Sequence, residues 1–240
     1  MLGRFLEFSI ETQDIQASLD FYSKLGFSQA EVGEAFAHPY AVVTDGRICL
    51  GLHQEPARDP VLTFVKPDLL KHLDELHHLG IDFAYRHLGN DVFNEVGWHD
   101  PSGHRVRLVE ARTFSPSKRS ANENSLCGYF LEVGLPTEDL ERSKSYWERC
   151  GFVGMDEIGA RLPHVCCTSD TIDIGLYGMQ DLGRPTLLFD VENVPSHVAN
   201  LADRGIEPSR ELPGSLRRVP AALFTAPEGT PILLSSHWDS

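Results

Sequence analysis

The stretch from Phe8 to Phe27 decides the fold of this 240-residue chain, because it occurs twice. It reads FSIETQDIQASLDFYSKLGF, and the stretch from Val133 to Phe152 reads VGLPTEDLERSKSYWERCGF. Three further segments recur in the same order and at nearly the same separation: ICLGLH (48–53) as IDIGLY (172–177), Gly80-Ile81 as Gly205-Ile206, and DPSG (100–103) as APEG (226–229). Repeats that keep their register over most of a chain indicate a duplicated architecture.

Each half contains the same succession of short elements. Apolar and polar residues alternate from Leu6 to Ile10, as in a half-buried strand. Asp14 then stands where it can cap a helix, and Gly26 where that helix ends. Extended runs follow, and a second strand–helix–strand succession starts at Pro60. The pattern predicts an α+β protein with four βαβββ motifs.

A polar segment separates the two copies. Residues 113–125 are rich in serine and asparagine, and they show no period of helix or strand, which is typical of a linker. We therefore predict one module in residues 1–112 and a second in residues 126–240. Each is of ordinary domain size.

Composition narrows the range of partners. The net charge is −14, from 35 acidic and 21 basic side chains, and without a run of Lys or Arg we expect no nucleic-acid partner. We find no basic and apolar leader and no apolar run of roughly 18 residues, so we expect no membrane association.

The five cysteines lack CxxC spacing, which favours reduced thiols and a cytoplasmic location. A monomer or a homodimer is compatible with the sequence.

The order of these motifs resembles the vicinal-oxygen-chelate superfamily, which includes glyoxalases, bleomycin-resistance proteins and extradiol dioxygenases. The resemblance rests on Asp14 to Phe27, Leu50 to His53 and Asp100 to His104, with Asp139 to Phe152 and residues 226–230 in the second half. It implies that paired βαβββ motifs curl their sheets into ligand-binding cups with helices outside. Members include lyases, dioxygenases, epimerases, transferases and metal-free drug-sequestering proteins, so the fold alone does not settle the function.

The resemblance also implies positions for metal ligands, usually His or Gln on a first strand and Glu on a closing strand. In this sequence those positions hold Glu7, Gly51, Val61 and Arg107 in the first half, and Glu132, Gly175, Thr186 and Leu233 in the second. A guanidinium cannot coordinate a cation. We therefore expect that the usual metal site is missing and that no cofactor is needed.

A shifted metal site is the alternative. Glu7, His53, Glu95 and His99 would suit a divalent ion such as Zn, Ni, Mn or Fe if they converged. That arrangement would favour a metal-dependent lyase or an extradiol-type dioxygenase. The other interpretation is that His53 is a partly buried histidine, since Tyr177 replaces it in the repeat, and that His99 belongs to a turn.

Arg107 has two interpretations of its own. It could form a structural salt bridge with Glu7 or Glu132 inside a cup, or it could anchor a carboxylate or phosphate, with Arg105 on the same face of the strand. In the second half, Leu233 and Tyr177 predict a more apolar pocket, suited to a planar ligand.

The sequence therefore favours a glyoxalase/bleomycin-resistance-like protein that binds a small organic molecule in its cup. The predicted ligand-binding residues are Glu7, His53, Arg105, Arg107, Glu132 and Tyr177. Two alternatives remain: the metal enzyme, and a regulatory or structural relative without a ligand.

Overall fold

The computed structural model describes residues 2–31, 36, 38–54, 60–89, 93–111, 125–157, 162–209, 212, 214–218 and 220–236. Two β-sheets form its framework, one from each half of the sequence. The predicted linker lies almost wholly outside the described residues, so the boundaries of the modules stay a prediction.

The first sheet has eight strands. They are β1 (Arg4–Glu11), β2 (Ser28–Gln29), β3 (Tyr40–Thr44), β4 (Cys49–His53), β5 (Val61–Lys66), β6 (Tyr85–His87), β7 (Glu95–His99) and β8 (Arg105–Glu110). Helix α1 (Ile15–Lys24) follows β1, and a 3₁₀ turn (Leu69–His72) runs into α2 (Leu73–His78) after β5. The spatial order is β2-β3-β4-β1-β5-β8-β7-β6, so the two motifs of this half join through the antiparallel pair β1–β5.

The second sheet has seven strands. They are β9 (Tyr129–Thr137), β10 (Val153–Glu157), β11 (His164–Thr168), β12 (Asp173–Gly178), β13 (Thr186–Asp190), β14 (Ala221–Thr225) and β15 (Pro231–Ser235). Helices α3 (Leu140–Arg149) and α4 (Val194–Ala202) follow β9 and β13. The spatial order, β10-β11-β12-β9-β13-β15-β14, repeats that of the first sheet up to its last strand.

The predicted α+β fold with repeated βαβββ motifs is confirmed, with one difference. In the described residues the fourth motif has two strands after its helix, where three were predicted. The segment before β14 contains Pro208, Pro213 and Pro220, and proline cannot donate to a strand ladder. A short 3₁₀ turn, Leu216–Arg218, lies there instead.

Side-chain caps start the principal helices, as the sequence predicted for Asp14. The Asp14 carboxylate accepts from the backbone N–H of Ala17 at 3.0 Å, and Asp139 does the same for Arg142 at 3.0 Å. These bonds satisfy amide groups that would otherwise lack a partner in the first turn. Repeated caps at equivalent positions are the local signal that makes both copies fold alike.

One apolar core joins the two halves. Phe27 packs edge-on to Phe189 with ring centroids 6.4 Å apart, and Phe64 packs on Phe152 at 6.3 Å. Helical side chains such as Trp147, which is fully buried, fill the same core. Since this core takes one face of each sheet, the opposite faces are left to form the two cups.

Each closing turn docks on the first helix of the other half. Glu228, in the turn before β15, accepts hydrogen bonds from Ser18 and Tyr22 of α1, both at 2.8 Å. Ser102, at the equivalent turn of the first half, donates to Thr137 at 2.7 Å and lies 3.0 Å from the Ser143 hydroxyl. These reciprocal bonds fix how the halves sit on one another.

The five cysteines all lie in the described part of the chain and are free thiols. Among the helices that the structure describes, we find none with the length and apolar character needed to cross a bilayer.

Candidate functional site

A row of polar side chains crosses the floor of the first cup. Glu7 of β1 lies opposite Thr63 of β5, Thr63 lies beside Arg107 of β8, and Arg107 lies opposite Gly97 of β7. Their neighbours along each strand point into the shared core, so these side chains project from the other face. Glu7, Thr63 and Arg107 are buried. The sequence predicted Glu7 and Arg107 for this floor.

Thr63 was missed by sequence reasoning, which placed Val61 in this row. A register shift in β1 between Phe5 and Glu7 brings Thr63 instead of Leu62 opposite Glu7, and Val61 lies opposite Ser9 and level with Arg105. The same shift occurs in the second half, where Leu188 rather than Thr186 lies opposite Glu132. A β-bulge of this kind leaves no clear mark in the amino-acid pattern.

Two glycines let side chains lie flat against the sheet. A Cβ atom on Gly51 would come within 2.4 Å of the Glu7 carboxyl group, and one on Gly97 would come within 2.1 Å of the Tyr85 ring. Real Cβ atoms do not approach so closely. The glycines therefore seat Glu7 and Tyr85 on the floor at either side of Arg107.

Glu7 is the centre of a hydrogen-bonded chain. Its Oε1 atom accepts from the Ser9 hydroxyl at 2.7 Å and lies 2.6 Å from Nε2 of His53. The Ser9 hydroxyl in turn lies 2.7 Å from that of Thr63. At the other end, Nδ1 of His53 lies 2.8 Å from Nε2 of His38. The chain runs from the middle of the floor to the half-buried His38.

Aromatic rings surround His53. Tyr40 stacks on it with an interplanar angle of 7°, and Phe36 meets it edge-on with centroids 4.8 Å apart. His38, Phe36 and Tyr40 were not predicted, because residues 28–47 share no clear motif with the second half. The predicted residue His53 is buried, and its ring contacts the carboxylate of Glu7.

Arg107 is a buried cation without a counter-ion among the described residues. Its side chain is 7% exposed, its Nε atom has no hydrogen-bond partner, and its guanidinium carbon lies 5.8 Å from the centre of the Phe36 ring. Glu7 bonds to Ser9 and His53 instead, so the structure contains no Glu7–Arg107 salt bridge. Burial of a charge is costly unless an opposite charge or several hydrogen bonds compensate.

The alternative ligand set does not converge. Glu7 and His53 are in contact, whereas the side chain of His99 is exposed and that of Glu95 is half-buried on β7, beyond Arg107. Among the described residues, no group of three or more His, Cys, Asp or Glu side chains could hold a metal ion. Arg105 lies level with His99 at the half-buried end of β8.

The second cup has a different floor. Gly134, Leu188, Leu233 and Leu223 occupy the places of Ser9, Thr63, Arg107 and Gly97. Tyr177, which replaces His53, donates to Oε1 of Glu132 at 2.5 Å. A cluster of buried residues fills this face: Leu162, Tyr177, Leu182, Leu188, Leu216 and Leu233. The side chains of Glu132 and Tyr177, both predicted ligand-binding residues, bond to each other inside this cluster.

Burial raises the pKa of Glu132, while the His164 charge and the Tyr177 hydroxyl act in the opposite direction. The His164 ring stacks on Tyr177 at 4.7 Å and its Nε2 lies 3.7 Å from Glu132. Because the folded protein holds this proton more tightly than the unfolded chain does, stability falls as pH rises from the ordinary glutamate pKa through the raised value.

A Glu132→Gln variant should therefore be more stable than the wild type at pH 7.5, by about 2 °C or more in Tm. Glutamine still accepts from Tyr177 but does not titrate, so the difference should shrink towards about pH 4. Thermal unfolding across this range measures it, with the exposed Glu141→Gln as the control. A wild type that gains stability over the variant as pH rises would contradict the assignment.

A separate cleft of about 420 Å³ lies where the two halves meet. Its lining includes Glu11, Asp14, Arg184 and Glu228. Asp14 already caps α1, and both oxygens of Glu228 accept bonds from α1. The cleft therefore belongs to the docking between the halves.

Comparison with solved structures identifies the architecture. The chain superposes on a catechol 2,3-dioxygenase with a TM-score of 0.60 and 14% identity, over 98% of this chain and 87% of the other. It superposes on homoprotocatechuate 2,3-dioxygenase from Arthrobacter globiformis with a TM-score of 0.62 and 16% identity, over 98% and 80%. A variant of the Brevibacterium fuscum enzyme gives 0.63 and 16%, over 98% and 71%. This chain has the extradiol dioxygenase fold.

Identities this low show the fold and not the activity. No protein-family model matches the chain, and no curated protein matches its sequence. The confirmed part of the predicted resemblance is thus the vicinal-oxygen-chelate fold.

The donor set in the first cup does not fit the metal that such a fold implies. The row across the floor contains one carboxylate, one hydroxyl and one guanidinium, and the imidazole of His53 is bonded to the carboxylate. The guanidinium is a cation with no lone pair to offer. A divalent ion placed among them would be repelled by Arg107. In the second cup the same row offers Glu132 and three leucines.

Proposed function

We propose that this protein binds a small organic anion in its first cup, without a metal ion. The observation that carries the proposal is Arg107, a buried guanidinium on the cup floor with no hydrogen bond or ion pair among the described residues. A carboxylate bound by Arg107 would supply the missing counter-charge. Arginine suits this role because its planar group can donate two parallel hydrogen bonds to one carboxylate.

The surroundings of Arg107 support an organic ligand rather than an inorganic ion. Phe36, Tyr40 and Tyr85 bring ring faces and edges to the first cup, and aromatic walls with a few fixed polar groups are typical of small-molecule sites. The leucines of the second cup already pack on one another, which makes the first cup the better candidate.

Titration calorimetry with benzoate tests the proposal. We expect benzoate to bind the wild type and its neutral analogue benzamide to bind far less well. Arg107→Met should weaken benzoate binding by about a hundredfold, since it removes two charge-assisted hydrogen bonds. Arg142→Met, which changes an exposed arginine on α3, should leave the affinity unchanged.

Two results would overturn the proposal. Equal affinity of the wild type and Arg107→Met for benzoate would remove Arg107 as the anchor. Stoichiometric Zn, Ni, Mn or Fe in protein purified without a metal-binding tag, with benzoate binding lost on chelation, would show that binding depends on a metal.

A further inference from the structure

We infer that the anion bound by Arg107 also carries an O–H or N–H donor, and that Glu7 accepts from it. This inference rests on the proposed function and narrows its ligand to hydroxy- or amino-substituted carboxylates. It is carried by the hydrogen-bonded chain on the cup floor and by the atom of Glu7 that this chain leaves unused.

Every donor in the chain points toward Glu7. Ser9 donates to Oε1 of Glu7, so the Thr63 hydroxyl must donate to Ser9, which has one proton only. With Glu7 ionised, Nε2–H of His53 donates to the same oxygen, and Nδ1 of His53 then accepts from His38. A carboxylate is the one member of this set that only accepts.

Both bonds to Glu7 end on Oε1. Its Oε2 atom accepts from none of the described residues, although Glu7 as a whole is 3% exposed. The described residues supply no hydrogen bond to Oε2, and this oxygen is not sealed from solvent, so a donor on a ligand can reach it. The cup therefore presents an unused acceptor on Glu7 and an unused donor on Arg107.

Glu7 and Arg107 are placed to bind opposite ends of one small molecule. Glu7 and Arg107 rise from the same face of the sheet and are separated by β5, so their Cα atoms are about 10 Å apart, two strand spacings. Thr63 lies between them on the floor and its hydroxyl proton is directed to Ser9. A ligand with its anionic group and its donor on different sides of a planar body would reach both.

Calorimetry with benzoate, 3-hydroxybenzoate and 4-hydroxybenzoate tests the inference, with the two methoxybenzoates as matched ligands that lack the O–H. We expect at least one hydroxy acid to bind the wild type about tenfold or more tightly than benzoate, and its methyl ether to lose that advantage. In Glu7→Gln the ratio of the affinity for that hydroxy acid to the affinity for benzoate should fall to about threefold or less. The exposed Glu141→Gln should keep the wild-type ratio.

The outcomes separate the two proposals. If benzoate binds through Arg107 but no hydroxy acid binds more tightly, the inference is wrong and the proposed function stands. The inference is also wrong, and the proposed function stands, if Glu7→Gln still binds the hydroxy acid as much more tightly than benzoate as the wild type does. If Glu7→Gln fails to fold, the comparison of each hydroxy acid with its methyl ether on the wild type decides alone. If none of the acids binds, both proposals are overturned.

Discussion

An Arg107→Met variant should be more stable than the wild type when no ligand is present. The wild type keeps a guanidinium that is 7% exposed on the cup floor with no counter-ion among the described residues. Methionine is shorter than arginine but similar in volume, is apolar and adaptable enough to pack near Phe36, and needs no solvation. Replacing buried charged groups with apolar ones of similar volume is neutral or stabilising by about 1–4 kcal/mol. We expect a gain in that range by denaturant unfolding, or roughly 2–4 °C in Tm per kcal/mol.

The control for this experiment is Arg142→Met, which should change the free energy of unfolding by no more than about 0.5 kcal/mol because Arg142 is exposed. With saturating benzoate the wild type should become more stable than Arg107→Met, since a ligand stabilises only the protein that binds it. If Arg107→Met lowered the free energy of unfolding by about 2 kcal/mol or more without ligand, Arg107 would have a structural partner. It would then not be an uncompensated cation that a carboxylate could neutralise.

Much of the fold could be predicted because its determinants are local and occur twice. Asp14 and Asp139 each cap a helix that ends before a glycine, and each helix follows an alternating strand. Such signals survive duplication because each copy needs them to fold. Where prolines accumulate, between α4 and β14, the repeat changed and the predicted third strand did not form in the described residues.

The candidate site was predicted only at positions where a charged or titratable side chain lies on a strand that should be half-buried. Arg107 and Glu7 stand out as charged residues on strands that should be half-buried, and both lie on the floor. Thr63 could not be placed, because a bulge in β1 changes which residue of β5 faces Glu7. His38 lies in a segment that shares no clear sequence motif with the second half, so nothing in the sequence linked it to His53.

The floors of the two cups differ in polarity. In the first, a carboxylate, hydroxyls, imidazoles and a guanidinium lie on the floor, and their burial costs stability. In the second, leucines cover the same positions, and the remaining carboxylate is satisfied by Tyr177. Apolar burial of this kind stabilises at about 25 cal/mol per Å². The floor of the second cup therefore favours folding, whereas the floor of the first carries the polar groups on which the proposed site depends.

A Leu233→Arg substitution should destabilise the protein severely, although the equivalent residue of the first half is an arginine. Leu233 is fully buried, and it lies between Leu188 and Leu223 in the row across the second sheet. An arginine there would meet leucine side chains on both sides. The burial that raises the pKa of Glu132 would also disfavour the arginine's charge. The expected loss exceeds about 4 kcal/mol, or abolishes folding, because an unpaired buried charge is among the costliest single changes.

Leu233→Met provides the matched control, since it keeps the volume without the charge and should cost less than about 1.5 kcal/mol. Denaturant unfolding of the three proteins measures both differences. If Leu233→Arg were tolerated within about 1 kcal/mol, the guanidinium would have to reach water or Glu132, and the second cup would contain an accessible site. The ligand is placed in the first cup because leucines fill the floor of the second, so this result would contradict that placement.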